Sequence, residues 1–151
     1  MKVLMVCLGN ICRSPMAEGI LQHKVDQAGL DVEVDGCGTG GWHAGESPDD
    51  RAQSTMSAKG INISDLRARQ FSKSDFAKFD IIYTMDESNY HDVVALADSV
   101  EDELKVRMIL NESNPDSNMA VPDPYYGGDG GFENVYQLLD VACDEIVAQL
   151  K

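Results

Sequence analysis

The sequence lacks any apolar run approaching the roughly 18 residues that a membrane-spanning helix needs. It also lacks a leader-like start. Lys2 is followed by only a short apolar stretch and then by glycine and arginine, so a cytoplasmic location and no membrane partner are expected. Basic residues are scarce: 12 Lys and Arg stand against 26 Asp and Glu, a net charge of −14. That balance argues against nucleic acid as a partner, because neutralising phosphates takes Lys and Arg. The four cysteines count as thiols rather than as a disulfide framework in such a compartment. His23, His43 and His91 are scattered, and no His/Cys set has the spacing of a zinc site, so neither metal nor cofactor is expected. Internal repeats, low-complexity tracts and linkers are missing too. The 151 residues therefore read as a single domain over 1–151. A chain of this size buries roughly 70% of its unfolded surface and needs no covalent staple.

What is present alternates between strand and helix patterns. Lys2–Val6 is a continuous apolar run suited to a strand buried on both faces. Ser14 reads as an N-cap with Pro15 at the first helical position. The helix that follows carries Met16, Ala17, Ile20, Leu21, Val25 and Ala28 on one face and ends at Gly29. Further strands are expected at Asp31–Cys37, Asp80–Thr84 and Lys105–Leu110. Further helices are expected at Asp49–Lys59, Ser72–Phe79, Ser88–Asp98 and about Phe132–Leu150. Gly36–Gly45 is a glycine-rich loop holding Trp42, and Asn111–Gly131 a long polar loop of the kind that carries function in a compact domain. Together these predict an α/β fold: an open four-stranded parallel sheet with helices on both faces. Sites in such sheets lie beyond the carboxyl ends of the strands, and Cys7 stands at that end of the first one.

The stretch CLGNICRSP, Cys7 to Pro15, therefore draws the chemistry. With a strand before it and a helix after it, residues 8–13 form a tight loop whose N–H groups converge on one point in front of a helix N-terminus, an anion nest. Gly9 permits backbone angles closed to other residues, and Asn10 tolerates the left-handed region and can hydrogen-bond the loop's own backbone. Arg13 offers a planar fork matching two phosphate oxygens. The same donors favour a thiolate on Cys7. A nucleophile at the bottom of an oxyanion cradle suits attack on phosphorus through a covalent phosphocysteine. Phosphate- or sulfate-like anions are the expected ligands. Local donors must attract them against the overall charge, which salt screens beyond about 8 Å.

This loop resembles the C-x5-R-[ST] loop of protein tyrosine phosphatases. The full string CLGNICRSPMAE near the start and DPYYGG near residue 125 resemble the low-molecular-weight branch of that family. The resemblance extends through Trp42, SPDDRA at Ser47–Ala52, RARQ at Arg67–Gln70 and TMDESN at Thr84–Asn89. It implies a phosphotyrosine-protein substrate, a tyrosine kinase among the possibilities, and a monomer or weak dimer. It implies that Asp123, between Pro122 and Pro124, protonates the leaving oxygen and then activates water. It implies that the Ser14 hydroxyl bonds the Cys7 sulfur, and that Trp42, Tyr125 and Tyr126 wall the pocket mouth, with Leu8 and Ile11 lining the same slot. Cys12, five residues from Cys7, is expected to guard it through a reversible disulfide. Cys37 and Cys143 are expected to be structural. Two positions depart from the family pattern. Gly36 and Leu66 stand where relatives often carry Ser and His, groups that bond Asn10 and Ser14, so the loop is expected to be either braced in another way or softer.

An arsenate reductase of the same fold is the alternative. It would need shuttle cysteines around residues 80–90, where this chain reads DIIYTMDESNY. A non-catalytic phosphate-binding module is the third reading; Cys7, Arg13 and Asp123 together argue against it.

Overall fold

In β1 (Lys2–Cys7) successive side chains point to opposite faces of the sheet, and both faces are covered. Val3, Met5 and Cys7 join one apolar cluster, Leu4 and Val6 the other. The computed structural model describes residues 1–128 and 130–151. After β1 come α1 (Arg13–Gln27), β2 (Glu33–Gly38), α2 (Asp50–Ala58), α3 (Asp75–Lys78) and β3 (Ile81–Thr84). Then follow α4 (Glu87–Val94), α5 (Val100–Leu104), β4 (Val106–Met108), a 3-10 turn (Ile109–Asn111) and α6 (Gly131–Leu150). The four strands are parallel in the order β2-β1-β3-β4. The first cluster lies under α1, α2 and α6, through Met16, Ile20, Met56, Val135 and Leu139. The second lies under α3 and α4, where Phe76 and Val93 meet Phe71, Phe79 and Ile82. This is the expected open parallel sheet with helices on both faces. Among the described residues, no helix is long and apolar enough to cross a membrane.

Several local expectations need correction. Ser14 is not the N-cap of α1; the helix begins at Arg13, Cys12 occupies the cap position and no side chain caps it. The Ser14 hydroxyl is instead engaged by the site, and Pro15, one of the first residues of the helix, has no N–H that would need a partner. Ala28 lies at the exposed end of α1 rather than on its buried face, while Gly29 closes the helix at φ +69° as expected. The strand expected from Asp31 begins at Glu33. The helix expected over Ser72–Phe79 shortens to Asp75–Lys78, because the Asp75 carboxylate accepts from the Ser72 N–H and folds the preceding residues into a turn. The helix expected at Ser88–Asp98 starts at Glu87, capped by Asp86, and stops at Val94. A separate short α5, capped by Ser99, was not legible in the polar sequence there. The fourth strand keeps only Val106–Met108 before the chain turns. Position 129, inside the long loop expected over Asn111–Gly131, lies outside the described residues.

Candidate active site

The central position of β1 and its neighbour β3 sets the site. Their carboxyl ends lie side by side, so the loops that follow them meet. The loop after β1 packs back on β2, whose last residue must be a glycine: a Cβ on Gly38 would stand 2.7 Å from the Leu8 carbonyl oxygen. Thr39 and Gly40 donate backbone N–H bonds to the carbonyls of Cys7 and Leu8, each at 2.9 Å.

Cys7 is 3% exposed. Its Sγ accepts the Asn10 N–H at 3.2 Å and lies 3.1 Å from Ser14 Oγ. Asn10 takes the left-handed conformation, φ +58°, that lets its N–H turn inward. Its side chain answers the question raised by Gly36 and Leu66. Oδ1 accepts the Arg69 backbone N–H at 3.2 Å, and Nδ2 donates to Ser14 Oγ at 2.7 Å. Because Ser14 Oγ accepts from Asn10, its own proton is free for the Cys7 sulfur, with the Cys37 carbonyl at 3.4 Å as the competing acceptor. A backbone amide thus contributes bracing where a side chain was expected.

Arg13 is 4% exposed, a burial a guanidinium tolerates only when paired. Its Nη1 donates to Asp86 Oδ2 at 2.7 Å and to the Val121 carbonyl at 3.0 Å, and its Nη2 lies 3.8 Å from Asp123 Oδ2. Asp86 does two jobs at the end of β3: Oδ1 caps α4 through the Asn89 N–H at 2.8 Å, and Oδ2 holds Arg13. Sequence reading singled out TMDESN but gave Asp86 no role. The available signal was an Asp between a strand end and a helix start, on the strand beside β1.

These residues open onto a cleft of about 430 Å³. Cys7, Arg13 and the backbone of the loop form its floor, with Cys12 beside them. Leu8, Gly9 and Ile11 line one side, and Asp123 with Tyr125 and Tyr126 lines another. Trp42 and His43 complete the lining, Trp42 being 72% exposed with its ring packed over Gly40. Every site residue expected from the sequence is brought here except Asn10 and Ser14, which lie behind the loop and act on Cys7 from there. Asp123 Oδ1 accepts the Tyr125 N–H at 3.0 Å, closing a turn that presents its carboxyl to the cleft. Tyr125 and Tyr126 pack edge to face, centroids 4.9 Å apart. Arg51, a residue the sequence reading left out, lies over both Tyr125 and Phe132, at 5.4 and 4.8 Å from the ring centroids. Asp49 holds Arg51 at 3.0 Å, and that bond keeps the Asp49 carboxyl below its ordinary range.

Three further thiols are buried. Burial, then the negative charge of Asp49, pushes Cys12 up to about 12, so it stays protonated beside Cys7. Cys37 and Cys143 are fully buried on opposite faces of the sheet, and burial raises both above the ordinary thiol range. Neither is placed to shuttle electrons to the cleft, the chemistry an arsenate reductase requires.

The low molecular weight phosphotyrosine protein phosphatase model matches residues 2–151. A low molecular weight phosphotyrosine protein phosphatase of Schizosaccharomyces pombe is 43% identical over 92% of this chain and 90% of its own. The protein tyrosine phosphatase of Entamoeba histolytica, solved with Hepes in its active site, superposes with a TM-score of 0.92 at 34% identity, covering 99% of this chain and 96% of that one. The Drosophila arginine phosphatase superposes with the same TM-score at 34% identity, over 100% and 98%.

Proposed function

The chain belongs to the low molecular weight phosphotyrosine protein phosphatase family and is a protein-tyrosine phosphatase, and from that premise we propose that it hydrolyses aryl phosphates in two steps through a phosphocysteine on Cys7. Its substrates are phosphoproteins. In the first step the Cys7 thiolate attacks phosphorus while the bond to the tyrosyl oxygen breaks. That oxygen would otherwise leave as a phenolate of pKa near 10, so Asp123 gives it a proton. In the second step the Asp123 carboxylate takes a proton from water as that water attacks phosphorus. The S–P bond breaks, inorganic phosphate leaves and the thiolate is restored. Arg13 and the loop N–H groups hold the oxygens throughout, and the Ser14 proton stabilises the departing sulfur. The observation that carries this reading is the double donation to Cys7 Sγ, by Asn10 N–H and Ser14 Oγ, at the floor of a cleft whose wall holds Asp123.

The substrate class follows from the lining. Leu8, Ile11, Trp42 and the two tyrosines make the slot above the cradle apolar and aromatic, which suits a phenyl ring better than a charged guanidino group. This favours phosphotyrosine over the phosphoarginine acted on by the Drosophila neighbour. A tyrosine kinase carrying its own phosphotyrosines is the protein substrate we favour, with phosphate- and sulfate-like anions as competing ligands. The Hepes molecule of the Entamoeba enzyme carries a sulfonate of that kind. The decisive experiment pairs Cys7→Ser with two peptides, one phosphorylated on Tyr and one on Arg. The parent hydrolyses the phosphotyrosine peptide at least tenfold faster. Cys7→Ser binds it but loses turnover by about 10⁴–10⁶-fold. Turnover retained by Cys7→Ser ends the covalent mechanism, and preference for phosphoarginine ends the aryl assignment.

A further inference from the structure

Behind the cradle, on the side away from the cleft, a carboxyl group occupies the space that Gly36 leaves open. A Cβ placed on Gly36 would stand 2.6 Å from Glu18 Oε1 and 3.1 Å from Asn10 Nδ2, so the ends of these two side chains share the hollow over one glycine. Glu18 points there from α1, one turn after Ser14. Asn10 Nδ2 is the atom that donates to Ser14 Oγ at 2.7 Å, and Ser14 in turn lies against Cys7 Sγ. Glu18 therefore shares a hollow with the Asn10 amide, which leads through Ser14 to the sulfur. Leu66, on the neighbouring loop, lines the same outer hollow of about 280 Å³ as Glu18, Gln22 and His23, and gives the carboxyl an apolar neighbour with no proton to share.

We propose that Glu18 is a positioning residue for the phosphate loop: uncharged, it fills the space over Gly36 and keeps Asn10 on Ser14, and ionised, it draws the Asn10 amide away and sets a negative charge behind the anion site. The inference rests on the reading of Cys7 as nucleophile with Asn10 and Ser14 behind it. Its physical basis is the unequal strength of two bonds that Asn10 can make. A bond from the amide to a neutral hydroxyl is roughly half as strong as one to a carboxylate, so an ionised Glu18 outcompetes Ser14 for it. The change also falls in a useful pH range. Burial, and then the charge of Asp35, push the Glu18 carboxyl up to about 8, with Arg69 opposing. Those are the charged groups acting on it from β2 and from the loop before α3; Arg69 is itself held by Asp35 and Asp75, and His23 lines the hollow from the next turns of α1. The folded value lies above the ordinary 4.5, so the proton is held more tightly in the folded state. Glu18 is therefore neutral in the folded protein at neutral pH and ionises as pH passes about 8.

The test measures kcat/KM for p-nitrophenyl phosphate and the rate of Cys7 alkylation by iodoacetate, both from pH 5 to 9. The variants are Glu18→Gln, Glu18→Ala and Gly36→Ala. In the parent both profiles carry an inflection near pH 8. Glu18→Gln, a neutral isostere, keeps parental kcat/KM at pH 6.5 and loses that inflection. Glu18→Ala lowers kcat three- to tenfold at pH 6.5, more than it changes KM, and the difference from the parent shrinks above pH 8. Gly36→Ala does the same at pH 6.5, because the new methyl crowds both Glu18 Oε1 and Asn10 Nδ2. Thermal melts confirm that each variant is folded. A Glu18→Gln profile that keeps the parental inflection overturns the proposal, and so does Glu18→Ala with parental kcat at pH 6.5. Turnover surviving Cys7→Ser is a different result: it removes the nucleophile reading itself, whatever the Glu18 variants show.

Discussion

The phosphate loop, residues 7–14, and the acid loop around Asp123 face each other across the cleft and are built in opposite ways. In the first, Cys7, Asn10, Cys12, Arg13 and Ser14 are all 5% exposed or less. Its polar side chains have partners: Asn10 has two, Arg13 bonds Asp86 and Val121, and Ser14 meets Asn10 and Cys7. In the second, Tyr125 is 39% exposed and Tyr126 89% exposed. The chain there is held through Val121, whose N–H bonds Met85 and whose carbonyl takes Arg13, and beyond that by the short turns at Asp123–Tyr125 and Pro124–Gly127. The difference matches the tasks. An oxyanion cradle gains most from donors fixed before the charge develops. A general acid must meet leaving groups of different size, and a more exposed loop held by fewer bonds tolerates that. On the mechanism proposed above, the rigid side carries phosphate chemistry in general, and the looser side carries the response to the leaving group.

Arg13→Lys is the substitution that breaks this contrast hardest. Lysine keeps the charge but cannot donate at once to Asp86, Val121 and two phosphate oxygens. Steady-state kinetics are expected to show kcat/KM falling by about 10²–10³-fold for every substrate, whatever its leaving group. A loss confined to poor leaving groups contradicts the assignment of Arg13 to the cradle.

Asp123→Asn probes the opposite wall. The amide preserves the turn through its Oδ1 but has no proton to give. In kcat/KM, which reports the first step alone, phenyl phosphate is expected to fall by about 10²–10⁴-fold, while p-nitrophenyl phosphate, whose leaving group needs little protonation, falls far less. A plot of log kcat/KM against leaving-group pKa should therefore steepen. Parallel lines for parent and variant remove Asp123 from the acid role and leave it only a loop residue near Arg13.

How far the sequence revealed these two regions depends on the range of each interaction. β1 announces itself because alternation between two cores needs apolar residues at every position, and the C-x5-R spacing lies within one loop. Asp123 stood out only through the resemblance that DPYYGG carries, since by local rules it fits a turn. Asp86 was not, because it lies 73 residues from Arg13 and only the strand order brings them together. The Ser14 error has the same origin. A serine before a helical pattern fits a cap by local rules, yet the sulfur and Asn10 claim its hydroxyl and the helix starts one residue earlier. Gly36 and Leu66 read from sequence as missing braces. In the structure the Arg69 amide supplies part of what was missing, and the space at Gly36 admits Glu18.

Cys12 gives the smallest effect on turnover and sharpens the comparison differently, since it belongs to the rigid side yet serves only when catalysis stops. With its pKa pushed up to about 12 it stays protonated at neutral pH and does not compete with Cys7 for phosphate or for oxidant. Peroxide is then expected to oxidise Cys7 first, to the sulfenic acid. Condensation of that S–OH with the Cys12 thiol would form the S–S bond and release water, and a dithiol would return both sulfurs to thiols. The enclosed floor helps, because the two cysteines share the cleft bottom while Cys37 and Cys143 are buried elsewhere. Brief peroxide treatment of the parent is expected to abolish activity and dithiothreitol to restore most of it. In Cys12→Ser the same exposure carries Cys7 on to sulfinic acid, so less than about a tenth of the activity returns, and mass spectrometry finds two added oxygens on the Cys7 peptide. Equal recovery in parent and variant means that burial alone shelters the sulfur and that Cys12 is a packing residue.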